Sequence, residues 1–331
     1  MNDRIKTKWI LLTLWCAGLS LTYGAEPVKN IIFMIGDGMG YEQVRATVMY
    51  NGTPLYFETF PYIGQQTTLS DGGAVTDSAA GGTALATGVT VVNNVLSMRI
   101  PGDKSRLETI LEYIQKRGRR TGLVTTVPTP HATPAAFGAH VTNRTNTTAI
   151  AYEYLNISRP NVLLGGGRDG MTPASAIAAG YTVVTNVSGL LAVNPNTIEF
   201  LSGQFIAPDG SGYSPYEATG IGSWPHLSQM TATALDLLDN DPDGFFLMVE
   251  GGKIDYAGHA SQLPHLIGEV LEFHNAVAVV TNWAAGRTDT LILVTADHET
   301  GGLSVQADNG AGNLPTVSWG GGGQHTASNV P

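Results

Sequence analysis

The chain has 331 residues, 43% of them hydrophobic and only 13% charged, with a formal net charge of -10. That length and apolar content exclude a disordered chain and allow one large buried core, read as a single elaborate domain. The acidic balance and the lack of a polybasic run argue against a nucleic-acid surface, although a small phosphate ester could still bind through cations.

At the N-terminus, Arg4, Lys6 and Lys8 precede the apolar run Trp9 to Leu14, and Gly24-Ala25 precede Glu26-Pro27. This is the layout of a secretory signal peptide over residues 1–25, so residues 26–331 are expected to form a periplasmic or secreted domain. The run is interrupted by Thr13 and Gly18 and falls short of the roughly 20 apolar residues of a stable membrane span. The single cysteine, Cys16, lies in this leader, so no disulfide is expected.

Ile31 to Ile35 is a continuous apolar run that ends in Gly36-Asp37-Gly38-Met39-Gly40, the pattern of a buried strand feeding a turn. Gly122 to Val127, Asn161 to Leu164, Phe245 to Val249 and Thr290 to Thr295 repeat it. Helical stretches at Arg106 to Lys116, His226 to Leu238 and Leu263 to Ala285 alternate with them. Alternation of this kind predicts an α/β fold with a mostly parallel sheet and helices on both faces, whose ligands collect at the carboxyl ends of strands. The stretch 142–223, rich in Asn, Thr, Gly and Ser, is read as a surface insertion. Its Asn-x-Ser/Thr triplets and the one at Asn51 are read as loop chemistry rather than glycan sites.

Acids and histidines stand where these strands end. Asp37 follows the first, Glu250 closes the Phe245 strand ahead of Asp255 and His259, Asp297-His298 follow Thr295, and His325 lies near the C-terminus. An i,i+4 pair such as Asp255 and His259 can grip one ion from one helical face. Carboxylates with imidazoles suit zinc, and carboxylates with a hydroxyl such as that of Thr133 suit magnesium, so the mixture points to more than one metal. Ser78, in Thr76-Asp77-Ser78-Ala79-Ala80-Gly81, is expected at a helix N-terminus, where amides favour phosphate, with Asp77 either as a capping carboxylate or as one that supports the metal ligands from behind. A serine beside clustered metals suggests a nucleophile activated by coordination. Arg144 offers a guanidinium fork to phosphate oxygens.

Taken together, Asp37-Gly38-Met39-Gly40, Thr76 to Ala80, His131-Ala132-Thr133-Pro134, Glu250-Gly251-Gly252 with Asp255 and His259, Thr295 to His298 and His325-Thr326 resemble the alkaline phosphatase family, in order over nearly the whole mature chain. The resemblance implies a three-layer α/β/α sandwich, usually a homodimer, that hydrolyses phosphate monoesters through a phosphoserine with two zinc ions and one magnesium ion. It assigns Asp255, His259 and His325 to the first zinc, Asp37, Asp297 and His298 to the second, and Asp37, Thr133 and Glu250 to magnesium. Ser78 matches the nucleophile and Arg144 the phosphate clamp, while His131 and Tyr256 match positions that tune the metals. A phosphodiesterase of the same superfamily and a secreted metal-stabilised binding protein without turnover are the rival readings.

Two departures from the family pattern remain. His274 stands where relatives often carry Asp and is read as a structural variation. The chain stops at Pro331, six residues beyond His325, whereas relatives continue through further sheet structure. The expectation is therefore a truncated end, an unsupported tail at His325 and a weak first zinc.

Overall fold

A computed structural model describes residues 27–168 and 170–331. The proposed leader, with Cys16, lies outside the described residues. The strands are β1 (Asn30–Gly36), β2 (Arg120–Pro128), β3 (Val162–Gly166), β4 (Thr182–Val184), β5 (Leu201–Phe205), β6 (Phe245–Gly251), β7 (Thr290–Thr295), β8 (Glu299–Thr300), β9 (Leu303–Ala307), β10 (Thr316–Trp319) and β11 (His325–Thr326). The helices are α1 (Tyr41–Asn51), α2 (Ser78–Thr87), α3 (Ile110–Gln115), α4 (Ala132–Gly138), α5 (Thr147–Glu153), α6 (Pro173–Ala178), α7 (Val187–Leu191), α8 (Leu227–Leu238), α9 (Lys253–His259) and α10 (Leu263–Trp283), joined by short 3-10 and π turns.

Seven strands form one sheet in the order β4-β5-β3-β2-β6-β1-β7, and every pairing in it is parallel. A parallel sheet covered on both faces needs apolar side chains on both, which is why its strands read as unbroken apolar runs. Ile32, Met34, Leu247 and Val249 enter one core cluster with α1, α8 and α10. Their neighbours Ile35, Phe246 and Met248 enter the other with α2, α3, α4 and α5. The three-layer sandwich follows from that alternation. No helix among the described residues is long and apolar enough to cross a membrane.

Two expectations are corrected. The stretch 142–223 is no surface insertion, because it supplies β3, β4 and β5, three of the seven sheet strands. Its strands are short, and Ser202, Gly203 and Gln204 make β5 look like a loop although all five of its residues are buried. The tail after His325 is not unsupported either. His325 pairs with Thr300 across β11 and β8, Val330 is fully buried and exchanges backbone hydrogen bonds with Gln66, and Thr295 Oγ1 donates to the Pro331 carbonyl at 2.7 Å. These partners are remote in sequence, so the tail's local composition does not reveal them.

The helix expected from Arg106 is shorter and begins at Ile110, where Thr109 and Glu112 form a reciprocal capping box. Asn146 and Asn186 cap α5 and α7 with their side chains, in keeping with loop chemistry. His274 accepts a hydrogen bond from the Tyr56 amide at 3.0 Å and packs against its ring, a structural role.

Candidate metal and phosphoryl site

Sheet register assembles the site. Ile35 of β1 is level with Glu250 of β6 and with Thr295 of β7, so Asp37 and Asp297, each two residues further on, emerge side by side beyond the carboxyl edge next to Glu250. The turn after β6 leads directly into α9, which presents Asp255 and His259 one helical turn apart. The α8-facing and α2-facing cores thus converge on one rim.

Three groups of ligand atoms lie there, each with its atoms within 4.8 Å of one another: Asp255, His259 and His325; Asp37, Asp297 and His298; and Asp37, His131 and Glu250. Thr133 is fully buried in the first turn of α4, and its Oγ1 has no hydrogen-bond partner. Both Asp37 carboxylate oxygens, Glu250 Oε1, Asp297 Oδ2 and His131 Nδ1 are buried and likewise lack a hydrogen bond, Asp37 Oδ1 and Asp297 Oδ2 having only the His298 imidazole at 3.4 and 3.3 Å. A buried carboxylate without a partner costs several kcal/mol, about 3–5 when a partner is removed, so this many orphaned oxygens at one point are an arrangement cations stabilise.

The titration of these groups reflects the same crowding. Burial, then the charges of Asp297, Asp255 and Glu250, push Asp37 well above the ordinary carboxylate range. Burial lifts Glu250 to about 7 and Asp297 to about 6. Burial also acts to raise Asp255, but its hydrogen bond to His259 and the nearby imidazoles overcome it and hold that carboxylate well below its usual value. The Asp255 hydrogen bond raises His259 to about 9, while burial depresses His298 to about 4 and His131 to about 3.

Three of these histidines are oriented from behind. His259 Nδ1 meets the Gly323 carbonyl at 2.6 Å and His325 Nδ1 meets the Thr76 carbonyl at 2.8 Å. A carbonyl only accepts, so both Nδ1 atoms carry the proton and donate it. His298 Nδ1 faces Thr300 Oγ1 at 3.2 Å, and its Nε2 lies 3.2 Å from Ser78 Oγ, 3.4 Å from Asp37 and 3.3 Å from Asp297.

Ser78 opens α2, whose N-cap is Asp77, accepting from the Ala80 amide at 3.0 Å. The small residues after Ser78 have a steric reason: a Cβ on Gly81 would sit 3.0 Å from the Asp297 carbonyl, and one on Gly82 would sit 3.1 Å from Ala136 of α4. Arg144 donates to the other Asp77 oxygen at 3.0 Å and faces His131 at 3.3 Å. The Tyr256 hydroxyl also reaches His131 Nε2, at 3.4 Å, so Tyr256 belongs to the surroundings of the third group and not to its ligand atoms.

The residues proposed from the sequence as ligands, nucleophile, phosphate clamp and tuning groups lie together here, and His274 does not. Those missed are the supports. Thr125 donates to Glu250 Oε2 at 2.5 Å, and Glu299 ties the two strands together by accepting from Gln43 at 2.6 Å, from Thr326 at 2.5 Å and from the Gly302 amide at 2.9 Å. Thr125 is an inward hydroxyl within a buried strand, the one signal that could have found it; Gln43 on α1 has no local signal.

The fold and this rim define an α/β protein with candidate cation-binding groups at the carboxyl edge of its sheet. The family model described as alkaline phosphatase matches residues 28–321, and the chain belongs to the alkaline phosphatase family. It is 35% identical over 303 residues to alkaline phosphatase 3 of Bacillus subtilis (strain 168), a match covering 86% of this chain and 63% of that relative's length. The cold-active alkaline phosphatase of a psychrophilic Shewanella species superimposes with a TM-score of 0.73 at 35% identity, covering 85% of this chain and 71% of that one. A variant of the alkaline phosphatase from the Antarctic bacterium TAB5, with Mg bound in its M3 site, superimposes with a TM-score of 0.80 at 27% identity, covering 93% and 90%.

Proposed function

We propose that the chain hydrolyses phosphate monoesters through a phosphoserine at Ser78, with two zinc ions and one magnesium ion. The observation that carries this reading is three neighbouring ligand groups, two of them holding buried oxygens without a hydrogen-bond partner, beside a helix-opening serine whose hydroxyl lies 3.2 Å from His298 Nε2. Asp255, His259 and His325 hold the first zinc, Asp37, Asp297 and His298 the second, and Asp37, Thr133 and Glu250 the magnesium. His131 and Tyr256 tune the last. Bound cations in such sites lower the pKa of a coordinated hydroxyl and neutralise charge on phosphoryl and leaving oxygens.

The chain's own groups do the rest. Ser78 Oγ gives its proton to solvent as it attacks phosphorus, the ester P–O bond breaks, and the leaving oxygen takes a proton from solvent to depart as the alcohol. Water then attacks the phosphoserine, releasing inorganic phosphate and restoring the hydroxyl. Asp77 holds Arg144 so that its remaining N–H groups face phosphate oxygens, and the first amides of α2 add donors.

The magnesium in the TAB5 variant's M3 site supports a third cation here. The leader composition supports a periplasmic or secreted location, small phosphate monoesters are the partners, and a homodimer is the assembly. Turnover of p-nitrophenyl phosphate against bis-p-nitrophenyl phosphate tests the reading. The monoester is expected to be the far better substrate; preference for the diester would establish the phosphodiesterase instead, and no turnover by zinc-loaded protein the binding protein.

A further inference from the structure

Thr300 is fully buried on β8, and its hydroxyl stands between two ligand groups. Its Oγ1 lies 2.5 Å from Asp255 Oδ1, in the first group, and 3.2 Å from His298 Nδ1, in the second. A threonine hydroxyl has one hydrogen to give and lone pairs to accept with. An ionised carboxylate can only accept, so the hydrogen goes to Asp255. The remaining lone pair then takes Nδ1–H from His298, which leaves His298 Nε2 bare and aimed at Asp37, Asp297 and Ser78.

The surroundings pack closely around Thr300. The Thr300 amide donates to the Gly38 carbonyl at 3.1 Å, and Gly38 N in turn donates to Asp297 Oδ1 at 3.3 Å. A Cβ on Gly38 would come within 2.8 Å of Thr300 Oγ1, and one on Gly258 within 2.9 Å of the Thr300 carbonyl. Thr300 is therefore wedged between the turn carrying Asp37 and the helix carrying Asp255 and His259. Across the strand pair it also faces His325.

We infer that Thr300 is a positioning residue that couples the two zinc sites: one hydroxyl orients a carboxylate of the first and fixes the imidazole tautomer of the second. The inference rests on the ligand groups proposed above. It goes beyond them in making the two affinities interdependent through a side chain that touches neither ion. Partners of this kind behind metal ligands contribute about 10–100-fold in metal affinity.

The test is zinc binding to the full chain, measured by dialysis against graded zinc buffers with elemental analysis, for the unaltered protein, Thr300→Val and Thr300→Ser. Valine keeps the shape and removes the hydroxyl; serine keeps the hydroxyl. The expected result is two zincs in the unaltered chain, both weakened about 10–100-fold in Thr300→Val and both restored to within about threefold in Thr300→Ser. Weakening of only one zinc in Thr300→Val, or equal losses in both variants, overturns the coupling. Unaltered protein that binds no zinc overturns the ligand groups and the coupling with them, whereas two tight zincs in both the unaltered chain and Thr300→Val overturn the coupling alone.

Discussion

His259 and His325 face each other through their Nε2 atoms at 3.2 Å, although each ring already donates its Nδ1 proton to a backbone carbonyl. Two neutral rings so committed present bare lone pairs to one another, and Asp255 Oδ2 stands 3.2 Å from one of them. Such a cluster of acceptors is satisfied by a proton or by a cation.

Which of the two it holds depends on pH. With His259 raised to about 9, the metal-free chain carries a proton there at neutral pH, and zinc must displace it. Apparent zinc affinity of the first group should therefore rise by about tenfold per pH unit between pH 7 and 9, then level off. Calorimetric titration in two buffers of different ionisation enthalpy checks this through the proton released. A pH-independent affinity over that range contradicts it.

Stability of the metal-free protein should fall from about pH 6.5 to 9. Glu250 at about 7, Glu269 at about 8 and His259 at about 9 all have raised folded pKa values, so the folded state binds more protons than the unfolded one and loses stability as pH rises through them. Below pH 6.5 the depressed values of His298 and His131 act in the opposite sense and offset Asp37 and Asp297. Thermal unfolding after chelation should show a falling Tm over that window, with a smaller fall in zinc- and magnesium-loaded protein, where His259 and Glu250 are held deprotonated. A flat Tm in the chelated protein contradicts the assignment.

His325→Ala should remove the first zinc and most turnover. The tail carrying it is anchored by the Gln66 and Val330 pairing and by Thr326 on Glu299, so the ordering cost expected for a loose terminus has already been met in folding. Elemental analysis should fall from two zincs per chain toward one. An unchanged zinc content contradicts the placement of His325.

How much of this was legible in the sequence follows from the range of the interactions. Asp37, Glu250 and Asp297 could be found because each ends an apolar run, and a parallel sheet places such ends together. Asp255 and His259 could be found because their spacing is helical. β5 could not, because Ser202 and Gln204 are buried polar residues within it, and the Gln204 amide bonds back to Ser202 at 2.7 Å. The hold of Glu299 on Thr326, of Gln66 on Val330 and of Asp255 on Thr300 joins residues 27 or more positions apart, which no local pattern records.

Glu250→Gln should weaken magnesium more than zinc and lower turnover by roughly tenfold, since it removes charge from a fully buried oxygen ligand while keeping the hydrogen bond from Thr125 available. Parallel zinc and magnesium analyses decide it. Loss of zinc with retained magnesium would exchange the assigned groups.

The most direct measurement is acid quenching of the zinc- and magnesium-loaded enzyme during turnover of a 32P-labelled phosphate monoester, followed by mapping of the labelled peptide. The account predicts label on Ser78, none in Ser78→Ala, and loss of turnover in that variant on the order of 10³-fold or more with zinc retained. Undiminished turnover by Ser78→Ala, or label on another residue, would contradict it.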